Sequence, residues 1–72
     1  MRDDQQEFLM LLCVRATIIA EDAHSAAVEG QSLEAGFGTY REIASVLRRA
    51  QAEFGAIAQL IETELERANK DS

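Results

Sequence analysis

Three groupings in the sequence have the form of chemical sites. Glu21-x-x-His24 puts a carboxylate and an imidazole one turn apart if the segment is helical, which is half of the motif set of a di-iron carboxylate centre. A full site needs two such pairs and two further inward-facing glutamates. This chain has one His, and Glu21 and His24 fall away from the main apolar face of their segment. Neither a metal nor any other cofactor is expected. Cys13, the sole cysteine, lies in an apolar run with no acid or base clearly placed at helical spacing to favour a reactive thiolate. Gly36-Phe37-Gly38 precedes a helical pattern but lacks the rest of any phosphate-binding fingerprint. With one His and no Ser-His-Asp arrangement, no catalytic residue is expected and the chain reads as a non-enzyme.

The composition narrows the classes further. Seventy-two residues make one domain, 1–72, and 47% apolar residues with no Pro are too many for a disordered chain. Thirteen acidic residues against seven basic give a net charge of −6, which disfavours a nucleic-acid partner. A single Cys excludes an internal disulfide. The longest apolar run, Phe8 to Ala20, is broken by Arg15 and falls short of the roughly 20 residues of a membrane span. The start, Met1-Arg2-Asp3-Asp4, is more acidic than basic, unlike a secretory leader. The expectation is a cytoplasmic protein with no membrane partner. A domain of this size rarely gains more than about 3–5 kcal/mol from its own core, so a second copy or another protein should complete it.

Two helices and a turn are the elements available. The spacing predicts a first helix over about 4–29, opened by Asp4 and Glu7 in capping-box form and closed by a left-handed Gly30. Residues 30–38 read as the turn, with Ser32 capping a short extra turn and Leu33 and Phe37 folding back over the open end. Thr39-Tyr40-Arg41-Glu42 is a second capping box. It predicts a second helix over about 40–68, with residues 69–72 frayed. The fold class is therefore all-α, an antiparallel two-helix hairpin completed by a homodimer, as a four-helix bundle, or by a partner protein.

The apolar faces indicate where binding would occur. Ile43, Leu47, Ala50, Phe54, Ile57 and Ile61 recur at alternating spacings of four and three, a coiled-coil stripe, which slips at Glu64 to Leu65. It is read as the hairpin or dimer interface, together with Gly55. That glycine costs roughly 1 kcal/mol in a helix interior and leaves room for a close approach. In the first helix, Phe8, Leu12, Ala16, Ile19, Ala23 and Ala26 share one face, widened by Leu9, Ala20 and Ala27. Leu11, Val14 and Ile18 fall on another. One neighbour cannot cover both, so Leu11, Val14 and Ile18 are the candidate partner-binding residues. Arg41, Arg48 and Arg49 lie early in the second helix and Glu62, Glu64 and Glu66 late, against the helix dipole. An antiparallel copy crossing near Gly55 would bring the two groups together.

The second helix resembles the small E-type cochaperones of bacterial type III secretion needles. The residues concerned are Tyr40, the run Ala50-Gln51-Ala52-Glu53-Phe54-Gly55, and Ile57, Leu60 and Ile61. Chain length and a glycine-containing turn between helices match as well. The resemblance implies a helical hairpin that docks on a helical-repeat chaperone and shields a polymerising needle subunit. The alternative is a homodimeric phage- or antitoxin-like regulator that inhibits another protein by binding it.

Overall fold

The computed structural model describes residues 2–71, and the side chains of residues 2–70. Two helices, α1 (Asp3–Glu29) and α2 (Phe37–Asp71), pack on each other as an antiparallel hairpin measuring 55 × 16 × 11 Å. Ser72 lies outside the described residues, and α2 continues past Ala68 to Asp71.

The ends of the helices differ from the expected caps. α1 opens at Arg2, whose N–H donates to Gln5 Oε1 at 3.2 Å, while Asp4 Oδ1 accepts from the adjacent Gln5 N–H at 3.0 Å. Asp4 is thus inside the first turn, and the pairing with Glu7 does not form the cap. Gly30 is right-handed, with φ −69° and ψ −11°. A Cβ there would meet the tip of the Ile43 side chain, Cδ1, at 3.0 Å. α2 begins at Phe37, where the Gly36 carbonyl accepts from Tyr40 N–H at 3.0 Å. Thr39 is already helical, because the tight turn hands the chain to α2 earlier than the local cap signal does. Ser32 does close a turn, its Oγ accepting from Glu34 N–H at 3.2 Å. Leu33 and Phe37 do not fold back; they are 104% and 93% exposed.

The seam between the helices follows heptad spacing. On α1 the residues removed from solvent are Gln5, Leu9, Leu12, Ala16, Ile19, Ala23, Ala26 and Gly30, at alternating steps of four and three. On α2 they are Thr39, Ile43, Val46, Ala50, Glu53, Ile57, Ile61, Glu64 and Ala68, with Thr63 beside them. Ile19, Ala50 and Ile57 form the buried centre. Phe8, expected on the α1 face, is outside it, and Leu9 takes that place.

The α2 seam departs from the expected stripe at three positions, one of them the slip, where Glu64 lies inward and Leu65 is exposed. Val46 and Glu53 pack inward where Leu47 and Phe54 were expected. The apolar arc of α2 runs from Val46 round to Tyr40, about 120° at roughly 100° per residue, and one neighbouring helix covers only part of it. Cross-seam polar links choose which part. Arg15 Nη2 meets Glu53 Oε2 at 3.4 Å, and Gln5 Nε2 donates to Glu64 Oε2 at 3.3 Å. Both glutamates lie on the Val46 edge, and engaging them turns Leu47 and Phe54 out.

Candidate functional site

The hairpin buries little, and what it leaves exposed forms two ridges. The chain has an accessible surface of 5796 Å². A compact chain of its 8.0 kDa mass would have about 4,450 Å². The excess, about 1,300 Å², follows from the rod shape and is rich in large apolar side chains.

The first ridge lies on α1. Leu11, Val14 and Ile18 are 60%, 54% and 45% exposed. Their spacing of three and four sets them in one row, rotated away from the seam positions Leu12, Ala16 and Ile19. The structure thus brings these three sequence candidates together on the side of α1 turned from α2.

The second ridge lies on α2 and contains Tyr40, Leu47, Phe54 and Leu65, all exposed. Of the candidates named for the hairpin or dimer interface, Ile43, Ile57 and Ile61 sit in the seam. Leu47, Phe54 and Gly55 sit outside it among the exposed residues. Nothing lies within 4 Å of where a Gly55 Cβ would be.

The two broad sides of the hairpin differ in chemistry. On one, Arg15, Asp22, Arg49 and Glu53 line a shallow groove beside Ile19 and Val46. On the other, the positions flanking the seam are Cys13, Ala20 and Ala27 on α1 and Leu47 and Phe54 on α2. The polar groove holds the Arg15–Glu53 pair. The apolar side carries no counterpart to it among the described residues.

Sequence reasoning missed the polar residues that set the seam. Gln5 and Glu64 have no apolar signal, and the Tyr40 hydroxyl, which donates to the Gly30 carbonyl at 2.9 Å, clasps the turn through a contact that periodicity does not show. Leu65, where the stripe was expected to slip and continue, lies outside the seam on the second ridge.

Chemically reactive groups are dispersed. Glu21 and His24 are exposed on α1, and Cys13 is exposed as well. Among the described residues no three His, Cys, Asp or Glu side chains gather as a metal-holding group. No described helix is long and apolar enough to cross a membrane.

The fold and its surfaces define a class: an all-α helical hairpin with two unpartnered apolar ridges. No family model, curated protein or solved structure matches the chain.

Proposed function

We propose that the protein is a non-enzymatic, cytoplasmic binding module that docks the outer ridge of α1 on another helical protein. The observation that carries this reading is the row Leu11, Val14 and Ile18, each about half exposed on a hairpin that has no use for them internally. Burying one such side chain fully is worth about 1.5–3 kcal/mol, so three together supply the core of a helix-in-groove contact. The most concrete form is a small chaperone or cochaperone in type III secretion, seated on a helical-repeat chaperone. The sequence likeness of α2 supports that form. A second reading, a self-associating regulator that binds and inhibits another protein, draws on the ridge of α2.

The test is affinity capture from the source cells with wild-type, Leu11→Asp and Val14→Asp baits, paired with circular dichroism of each. The expected result is a stoichiometric protein partner that both variants lose while keeping wild-type helicity. A partner retained by both variants would sink the α1 reading. Loss of helicity would assign Leu11 and Val14 to the fold instead.

A further inference from the structure

The exposed side of α2 carries a second coiled-coil spacing beside the seam. Ala44, Leu47, Gln51, Phe54, Ala58 and Leu65 lie at steps of three, four, three, four and seven, all exposed. Such a row asks for one more helix. We propose that the occupant is α2 of a second copy, running antiparallel about a twofold axis at Gly55.

Charge placement selects this occupant. Arg48 and Glu62 lie seven residues, or two turns, on either side of Gly55. Both are exposed on the outer edge of the row. Among the described residues neither makes an ion pair within the hairpin. They cannot meet each other in one chain, because fourteen residues of helix separate them by about 21 Å. An antiparallel copy centred on Gly55 brings Arg48 of each chain against Glu62 of the other, twice. Like-for-like overlay in a parallel pair would set Arg48 on Arg48 and Glu62 on Glu62 instead. The arrangement also resolves the reversed charge gradient of α2, which opposes its own dipole within a monomer.

Space and area agree with the charges. A glycine in an exposed helix interior costs roughly 1 kcal/mol relative to Ala, and nothing in the hairpin approaches Gly55. On the twofold axis, in the same column as Arg48 and Glu62, the missing side chain leaves room between the two chains. A stable interface takes about 800 Å² from each partner. Each hairpin exposes about 1,300 Å² beyond a compact chain of its mass, so one face of this kind fits within the surplus. The small residues Cys13, Ala20 and Ala27 on the same broad side leave α1 clear of the incoming helix. The pairing does not use Leu11, Val14 or Ile18.

The experiment is sedimentation equilibrium on wild type, Arg48→Glu, Glu62→Arg and the double variant, with helicity followed by circular dichroism. Wild type is expected to be dimeric at low micromolar concentration. Each single reversal is expected to weaken the dimer about tenfold or more. The double variant, and an equimolar mixture of the two single variants, regain dimerisation, since every Glu again meets an Arg across the axis. Leu11→Asp leaves the dimer intact, so failure here is separate from failure of the α1 docking surface. A wild type that stays monomeric overturns the proposal and leaves the ridge to a different protein. A dimer indifferent to both reversals, or a mixture that fails to rescue, overturns it as well.

Discussion

At the end of the hairpin away from the turn, the Gln5 side-chain amide donates to the Glu64 carboxylate at 3.3 Å. Gln5 is 8% exposed, and its other side-chain atom accepts the Arg2 N–H. Glu64 also pairs with Arg67 at 3.3 Å. One glutamine therefore caps α1 and ties it to a residue 59 positions later. This directional bond adds a restraint on the rotation of α2 against α1 to the packing of Leu9, Leu12 and Ile61.

Removing the amide should show this. Gln5→Ala loses the cap and leaves the mostly buried Glu64 carboxylate with one partner fewer. The expected cost is about 1–3 kcal/mol, read from urea unfolding. Glu64→Gln keeps an acceptor for Gln5 and loses only the pair with exposed Arg67, a change of about 0–1 kcal/mol. Equal losses in the two variants would contradict the role given to Gln5.

The same polar links explain which parts of the structure were legible in sequence. Two helices and a turn follow from unbroken helix-forming stretches separated by residues 30–38. The α1 seam from Leu12 to Ala26 follows from spacing. The rotation of α2 does not. Leu47 and Phe54 outrank Val46 and Glu53 in hydrophobicity, yet Glu53 lies inward, where it meets Arg15 from 38 residues away. A helical wheel has no access to that pairing. The Thr39 box and the left-handed Gly30 failed for a related reason. Each is a favourable local motif, but where α2 starts is set by the Gly36 carbonyl and the Tyr40 clasp on Gly30, both consequences of how the helices meet. The exposed ridge of Leu11, Val14 and Ile18 could be read in advance because it needs only one helix and its periodicity.

Substitution at the buried centre should unfold the hairpin, whereas substitution on the α1 ridge should not. Ile57 is buried beside Ile19 and Ala50, and Ile57→Ala is expected to cost about 2–5 kcal/mol, most of what so small a core supplies. Leu11→Asp replaces a side chain that is mostly in water already, and its effect on stability should stay within about 0.5 kcal/mol. Thermal unfolding followed by circular dichroism compares the two directly. A large loss in Leu11→Asp would place that residue in an internal contact.

The exposed tip offers a further contrast. Leu33 and Phe37 pack on nothing that removes them from solvent. Leu33→Ser with Phe37→Ser should leave the unfolding free energy within about 0.5 kcal/mol of wild type. Tyr40→Phe, by comparison, removes the hydroxyl that donates to the Gly30 carbonyl, and about 0.5–1.5 kcal/mol should be lost. The order matters more than the sizes: if the tip were folded over the open end of the helices, the double serine variant would be the more damaging.

Gly55 separates the needs of the hairpin from those of an assembly. With open space around its missing Cβ, Gly55→Ala should stabilise the isolated hairpin by about 0.5–1 kcal/mol, because the backbone of the unfolded chain loses freedom and no native contact is strained. The measurement is urea unfolding at concentrations low enough for the monomer to dominate. A bulkier Gly55→Leu should raise monomer helicity for the same reason, since leucine is a strong helix former. At a helix crossing the two variants part company: Ala adds one methyl group to the axis, whereas Leu fills the space through which the second backbone approaches. Dimer dissociation should therefore rise far more in Gly55→Leu than in Gly55→Ala, while both monomers gain stability. Destabilisation of the monomer by Gly55→Ala would mean that the hairpin itself closes on this glycine, and the open surface around it would no longer account for its place in α2.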